Sequence, residues 1–512
     1  MKRDGALTSL WQNNMPAYTE KKADISNETF NVVIAGGGMT GIAAALQLQK
    51  SGKRCLVAEA NTLCFGTTGG TTAHLNNFFD TSYDIVISKF GEEHAQMLAR
   101  AASQALELYR SNIEEYGIDC EYSQKDAYIF AQDDDQVKQL DKIFEGSKKA
   151  GADAAHTDRI PLPIEFNKAI VYHEQAQFHP ARYVYALAKA FEEAGGVILQ
   201  NCQVKDVKET NKTLEIETSA GKITAGCMIW ATHIPPGINL LHFRCAPYRS
   251  YAMAVTLNDD AYPNALAYDL YDPYHYYRTQ EIDGKKYLIV GGEDHKTAHE
   301  ENTEACFAKL EAHIRSYFDV KEVAFKWSSQ YFEPADGIAY IGHLPGNADQ
   351  VLVATGFGGN GMTYSHISAL VLTDLVTKGE SEYTELFSPD RLKPVAGFGN
   401  FLKENADVVK EFVGKRFSKE KLEELVDLAP GEAKLVKFEG KSLAMYKDES
   451  GNIHALNPVC THAKCTVGWN SAEKTWDCPC HGARYGIDGA VLTGPARAGL
   501  EKIEVESLVV EK

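Results

Sequence analysis

The 512-residue sequence contains no apolar run approaching the eighteen or more residues of a membrane span, and its first residues, Met1-Lys-Arg-Asp4, lack the apolar core of a signal peptide. A membrane span is therefore not expected, and the expected location is cytoplasmic. Positive charge is also short. With 52 Lys and Arg against 70 Asp and Glu, the net charge is −18, which disfavours nucleic acid and anionic membrane as partners. There is no internal repeat and no low-complexity tract. What the chain does have is length and 44% apolar residues, enough for several cores of a large enzyme.

Cysteine is not scarce, and four of the eleven lie close together near the end. Cys460-Thr-His462 is followed after fifteen residues by Cys478-Pro-Cys480-His481. Each segment offers a thiolate and an imidazole, as Cys-x-His and Cys-x-x-His. This is the ligand set of a Rieske [2Fe-2S] centre, in which two thiolates hold one iron and two nitrogens the other, and which passes one electron at a time. A structural zinc site and a pair of disulfides are the rival readings. Zinc-finger spacing usually groups cysteines with cysteines and histidines with histidines, whereas each loop here supplies one of each. The segment resembles the high-potential Rieske proteins. That resemblance implies a disulfide between Cys465 and Cys480 and a covering proline loop at Gly494-Pro495-Ala496. Where respiratory Rieske proteins commonly carry His-Gly-Ser, this chain reads His481-Gly482-Ala483, so one hydroxyl donor to the cluster sulfurs is lost. Tyr485 stands at the family's second donor position, and an intermediate potential is expected.

A second feature sits at the other end. Residues 31–35 read as a buried strand, Gly36-Gly-Gly38-Met-Thr-Gly41 opens a helix, and a second strand at 55–58 leads to Glu59. A GxGxxG bracketed by strand and helix, with an acidic residue about twenty positions on, is the dinucleotide fingerprint. Its glycines let a pyrophosphate approach the helix N-terminus. Glu59 is expected at the ribose hydroxyls.

Further along, the strand at 351–355 runs into Gly356-Phe-Gly358-Gly359-Asn-Gly361-Met362-Thr363 and another helix start. This region resembles the D-amino-acid oxidase/glycine oxidase (DAO) superfamily, whose pattern lies over the chain from Leu10-Trp11 to about Lys378. The resemblance implies FAD as the dinucleotide, with the second helix start facing the flavin pyrimidine ring. Residue by residue it assigns cofactor contacts to Gly36, Gly38, Met39, Thr40, Gly41 and Glu59. It adds Thr67, Thr68 and Gly69 in the loop reaching the isoalloxazine, Val204 at the adenine edge, and Gly358, Gly359, Gly361, Met362 and Thr363. One departure is Ala231-Thr-His233, where the family usually has Ala-Thr-Gly and a tight turn now carries a bulky side chain.

The fold class expected is α/β (α+β): an FAD-binding Rossmann-type domain with an inserted antiparallel-sheet substrate domain, plus a small all-β Rieske domain. The expected divisions are an N-terminal extension at 1–29, the FAD-dependent oxidoreductase at 30–385, a helical linker at 386–425 and the Rieske domain at 426–512. Short alternating segments at 433–438, 442–446 and 453–456 suit an antiparallel domain. Cys55, Cys202 and Cys227 lie in apolar runs and are expected to be buried and inert. Cys64, beside the flavin loop, is the thiol to watch for reactivity, although burial is favoured there too.

Substrate chemistry is the thinnest part of the reading. Candidates on the substrate sheet are Arg249, Tyr251, Tyr268, Tyr271, Tyr274, Tyr276, Tyr277 and Arg278, with Arg249, Tyr251, Tyr277 and Arg278 taken as pocket residues. Arginine suits a carboxylate and tyrosines suit an amine, and alternation along a strand forbids all of them facing one side. His295 and His299 beside Glu293 and Asp294 are read as an exposed polar turn rather than a metal site. The expected activity is oxidation of an amine or amino-acid-like substrate by hydride transfer to FAD. Electrons would then leave singly through the cluster to an external one-electron carrier or acceptor. The alternatives are inward flow from an external donor, and a redox protein without turnover. A Rieske oxygenase is disfavoured because no convincing two-histidine, one-carboxylate set for a mononuclear iron is found.

Overall fold

The computed structural model describes residues 2–13, 15–23, 25, 28–391, 428–438 and 441–504. Of the helical linker expected at 386–425, residues 392–425 lie outside the described residues.

Thr29–Ala35 is continuously apolar over Val32–Ala35 and buried there, as a strand covered on both faces must be. It lies parallel between Cys55–Ala58 and Gly221–Trp230; Val197–Leu199 and Val351–Thr355 extend the parallel sheet on either side. Ala35 pairs with both Ala58 and Trp230, so the C-terminal ends of three strands finish along one edge, where such sheets bind ligands. Met39–Lys50 starts at that edge. A Cβ on Gly41 would stand 1.9 Å from the Gly36 carbonyl oxygen, so only glycine lets this helix sit so close to the turn.

The second sheet is almost wholly antiparallel and runs in the order Val320–Pro334, Cys245–Leu257, Lys285–Lys296, Tyr276–Ile282, Leu266–Tyr268, Ser123–Ala131, Lys168–Gln177, His74–Leu75. The helix Thr303–Tyr317 packs its apolar residues Phe307, Leu310 and Ile314 with Tyr251, Met253 and Leu288 of the sheet. The other face turns towards the binding edge of the parallel sheet. Near the C-terminus, Ala433–Phe438, Lys441–Lys447 and Ile453–Leu456 form one small antiparallel sheet and Gly468–Asn470, Thr475–Asp477, Arg484–Tyr485 and Val491–Thr493 another. They enclose a core of Trp476, Tyr485, Val467 and Leu456.

The two modules meet around buried charge. Arg3 binds both oxygens of Glu473 at 2.8 and 2.9 Å, and Arg484 bridges Asp4 at 2.6 Å and Asp477 at 3.1 Å. Arg249 reaches Asp477 at 3.5 Å and Ser328 at 2.8 Å. All these side chains are almost wholly excluded from solvent. The expected N-terminal extension is thus built into the junction, and Trp11 is anchored by an indole hydrogen bond to the Thr71 carbonyl.

Candidate active site and cluster site

A cavity of about 530 Å³ opens along the binding edge. Gly36, Gly38, Met39, Thr40, Glu59, Thr67, Thr68, Val204, Gly358, Gly359, Gly361 and Met362 line it. Three of the expected cofactor residues do not. A Cβ on Gly69 would stand 2.3 Å from the Cys64 carbonyl, Gly41 is held by the Gly36 approach already described, and Thr363 spends its hydroxyl on the Asn76 carbonyl at 2.6 Å. These three shape the cradle from behind. The residues present fit FAD. Gly36 adopts φ +107° with the Ala231 carbonyl 2.4 Å from where a Cβ would be; of the two helices facing the cavity, Met39–Lys50 has its first amide bonded to Thr68 Oγ1 at 3.0 Å, and neither it nor Gly361–Lys378 is capped by the side chain of its N-cap residue. Glu59 accepts hydrogen bonds from the Gly37 and Asn61 amides at 2.7 and 2.8 Å, while burial raises its pKa. His233 fits its turn by taking φ +70°. Its Nδ1 lies 3.2 Å from Thr67 Oγ1, and burial pushes its pKa down to about 4. Cys64 is buried and its thiol is pushed up, the opposite of an activated nucleophile.

The far end of the cavity is walled by Asn76, Asp80, Ser250, Tyr268, Tyr274, Tyr276, Asp294 and Tyr331. This corrects the choice of pocket residues: Arg249, Tyr251, Tyr277 and Arg278 are all essentially fully buried and none lines the cavity. Strand alternation is the reason for three of them. Ser250 and Ala252 face the cavity, so Arg249 and Tyr251 point the other way, to Asp477 and to His295 Nε2 at 2.9 Å. Tyr274 and Tyr276 face it, so Tyr277 turns to His313. Arg278 has the right parity but lies beneath the loop at 71–73, donating to the Thr72 and Ala73 carbonyls at 2.8 and 2.6 Å and to Gln280. Tyr271 is on the surface. His295 is taken by Tyr251 and belongs to no metal-compatible group among the described residues. Asp80 was missed altogether; nothing in its local sequence marks it. Asp80 accepts from the Gly359 amide at 2.8 Å and from Tyr274 at 3.1 Å, and Asp294 accepts from Tyr331 at 2.9 Å. Desolvation raises the carboxyl of the half-buried Asp294 to about 7; that of Asp80 is raised in the same direction, although the residue is exposed to the open cavity.

At the other site, His462 and His481 stand with ring centroids 4.9 Å apart, and the Nδ1 of each is buried with no hydrogen-bond partner. Two orphaned ring nitrogens beside two thiols are what a cluster would satisfy. Cys460 and Cys478 are in hydrogen-bond contact, which draws the Cys460 thiol down to about 6. Tyr485 Oη lies 3.1 Å from Cys460 Sγ, and Ala483 is buried. Cys465 and Cys480 are joined as a disulfide. Together with Cys478 they also have metal-compatible spacing, but sulfurs bonded to each other are not thiolate ligands.

The two sites touch. Gln330 donates to the Gly482 carbonyl at 2.9 Å while its own carbonyl accepts from Thr67 Oγ1 at 2.9 Å, so one residue links the cluster loop to the flavin loop. His462 Nε2 lies 2.9 Å from the Gly237 carbonyl, and Val491–Thr493 and Ala496 line the flavin cavity. His242 packs its ring on both His462 and His481, at 4.6 and 5.5 Å. Beside it Ile238, Leu240 and Phe243 account for three of the five large apolar side chains exposed among the described residues.

The FAD dependent oxidoreductase model, DAO, matches residues 31–375, and the Rieske [2Fe-2S] domain model matches 419–504. A Rieske 2Fe-2S iron-sulfur protein of Bacillus subtilis (strain 168), YhfW, is 33% identical over 98% of this chain and 98% of its own. Gamma-glutamylputrescine oxidoreductase of Escherichia coli (strain K12) is 24% identical over 71% of this chain and 88% of its own. Among solved structures, glycine oxidase from Geobacillus kaustophilus superposes with a TM-score of 0.60 at 19% identity, covering 72% of this chain and 100% of that one. The cofactors are accordingly FAD and a [2Fe-2S] cluster. With a dinucleotide cradle at one end, a cluster pocket at the other and a full-length relative built the same way, this chain belongs to the FAD dependent oxidoreductase (DAO) family and carries a C-terminal Rieske [2Fe-2S] domain.

Proposed function

We propose that the protein oxidises an amine or amino-acid-like substrate at a carbon bearing nitrogen and hands the electrons, one at a time, to an external carrier. When bound, FAD supplies a two-electron hydride acceptor and the cluster a one-electron outlet. Gly36, Gly38, Met39, Thr40, Glu59, Thr67, Thr68, Val204, Gly358, Gly359, Gly361 and Met362 would hold the flavin, with Gly41, Gly69 and Thr363 supporting them. Cys460, His462, Cys478 and His481 would hold the cluster. The observation that carries the reading is the Gln330 bridge, which ties the loop at Thr67 to the loop at Gly482. The tyrosine-walled far end of the same cavity supplies a substrate site, where aromatic faces favour an amine. The exposed apolar side chains at 238–243, beside the cluster histidines, favour exchange with an external partner there. Support for an amine substrate also comes from the relative named for γ-glutamylputrescine.

We infer a cytoplasmic site of action, in keeping with seven cysteines outside the Rieske loops that remain thiols. Among the described residues no helix is long and apolar enough to cross a membrane. We also keep the division at 1–29, 30–385, 386–425 and 426–512 as the working boundaries.

The test is anaerobic mixing of the holoprotein with a panel of amines and amino acids, following flavin bleaching, and then the same experiment with the His481→Cys variant. Bleaching that persists in the variant while turnover with a one-electron acceptor stops supports outflow through the cluster. Bleaching that fails in an FAD-replete variant favours inward flow, and no bleaching by any member in either protein sinks the oxidase reading.

A further inference from the structure

The amine end of the cavity has two carboxylates and no cation. Asp80 and Asp294 line it from separate segments, one from the stretch that follows His74–Leu75 and one from the strand Lys285–Lys296. They sense each other: the charge of Asp80 is among the influences that raise the Asp294 carboxyl. Between and around them stand Tyr268, Tyr274, Tyr276 and Tyr331. Among the described residues, no lysine or arginine lines this end. Arg249 and Arg278 are buried and committed to Asp477, Ser328 and backbone carbonyls, and Arg497 lies at the far adenine end beside Asp206. His74 lines the cavity, but burial and the neighbouring Arg278 charge push it down to about 3, so it is neutral near pH 7.

Resting on the amine-oxidation reading above, we infer that the site selects amines that carry no carboxylate near the reacting carbon, with Asp80 and Asp294 as the residues that attract the ammonium and repel an α-amino acid. The physics is direct. A carboxylate-bearing substrate entering a cavity end lined by two carboxyls and no arginine finds no opposite charge and meets repulsion from whichever of the two is ionised. An alkylammonium meets carboxylates and a wall of four tyrosines, residues of the kind that bind organic cations. A diamine has a second charge to spend, so one ammonium can be held at one carboxylate while the other nitrogen is presented to the flavin. Asp294 has one further fitness for the task. Its Oδ1 has no hydrogen-bond partner in the protein, and with its carboxyl raised to about 7 it is suited to receive the proton that an alkylammonium must lose before its carbon can surrender a hydride.

The experiment has a binding arm and a reduction arm, both on the FAD- and cluster-loaded protein. In the first, the oxidised flavin spectrum is titrated with tetramethylammonium and with acetate, neither of which can be oxidised. Tetramethylammonium should perturb it saturably and acetate should not. Asp294→Asn and Asp80→Asn should each weaken tetramethylammonium by about tenfold or more, and Asp294→Arg should let acetate bind. In the second arm, putrescine and N-methylbutylamine should bleach the flavin faster than glycine, sarcosine or proline. Faster bleaching by an amino acid than by the simple amines overturns this inference while leaving amine oxidation standing. Acetate binding to the unaltered protein as tightly as tetramethylammonium, or unchanged tetramethylammonium affinity in both Asn variants, overturns it as well. Bleaching by none of the five compounds, with no tetramethylammonium perturbation, removes both readings together.

Discussion

The four residues proposed to hold the cluster fall within one short stretch, Cys460 to His481, whereas the cavity beside them draws its lining from positions 35 to 499. The cluster pocket is closed by local devices: a disulfide between its loops, the Cys478 amide donating to the Ala483 carbonyl, and a tyrosine hydroxyl on the Cys460 sulfur. The flavin cavity has no such self-contained frame. Its shape depends on the register of two sheets and on the junction that brings residues 491–499 over its edge. A local site should fail when a ligand is lost and tolerate distant change. A distributed site should respond to distortions made well away from it.

The largest effect expected separates the two sites outright. Cys478→Ser or His481→Cys should abolish the Rieske electron paramagnetic resonance signal and the iron content while FAD stays bound. Iron retained at the level of the unaltered protein, or FAD lost along with it, would break the comparison by showing that the sites are not independent.

Next comes the junction. Arg484→Met leaves Asp4 with only Arg3, at 3.5 Å, and Asp477 with only Arg249, also at 3.5 Å, so it should destabilise the folded protein by about 3–5 kcal/mol, because under-compensated buried charge is costly. Chemical denaturation followed through both chromophores would measure it, and coincident transitions are expected. The same network sets a pH dependence. Glu473 and Asp477 are held below the usual carboxylate range by the arginines around them, outweighing burial. A depressed carboxyl contributes stability that is fully present above its unfolded value of about 4 and is lost as pH falls through the lower folded value. The junction should therefore hold through mild acid and loosen only below about pH 4. A midpoint near neutrality in the unaltered protein would contradict this.

Gly36→Ala sharpens the contrast from the flavin side. The added Cβ meets the Ala231 carbonyl at 2.4 Å in a backbone conformation, φ +107°, that alanine avoids. The cost should be about 1–3 kcal/mol of stability, read in the thermal midpoint, with weakened FAD affinity and an unchanged cluster signal.

The smallest effects lie within the cluster pocket. Tyr485→Phe removes the hydroxyl 3.1 Å from Cys460 Sγ and should lower the midpoint potential by about 40 mV, the equivalent of one hydrogen bond worth about 1 kcal/mol. Ala483→Ser, at a buried position, should raise it. Potentiometric titration of both variants decides whether these side chains reach the cluster sulfurs.

How much of each site was legible follows the same division. The Cys465–Cys480 pair and the proposed ligand set beside it lie on two short loops of the chain, and the Gly-x-Gly-x-x-Gly turn is built by one βα unit, so both could be read from a few neighbouring positions. His233 was visible as an anomaly, and the resolution, a left-handed backbone with the ring against Thr67, needed a partner 166 positions away. The substrate residues were misread for a comparable reason. Arg249 and Tyr251 look as suitable as Ser250 until the strand's facing is known, and Arg249 turns out to serve an aspartate in the other module. Asp80 carried no sign at all, since its role comes from the cavity and not from its neighbours in sequence.

The sequence by itself determined the two cofactor chemistries and the succession of modules, because hydrogen-bonded turns, helix starts and paired ligand loops are encoded by residues a few positions apart. Tertiary structure alone decided which face of the substrate sheet meets the flavin, which charges are buried as pairs and which stand alone in the cavity, and that residues 2–12 help to bind the modules together. Those outcomes depend on long-range strand register and on desolvation, and both are properties of the packed molecule rather than of any local stretch of the chain.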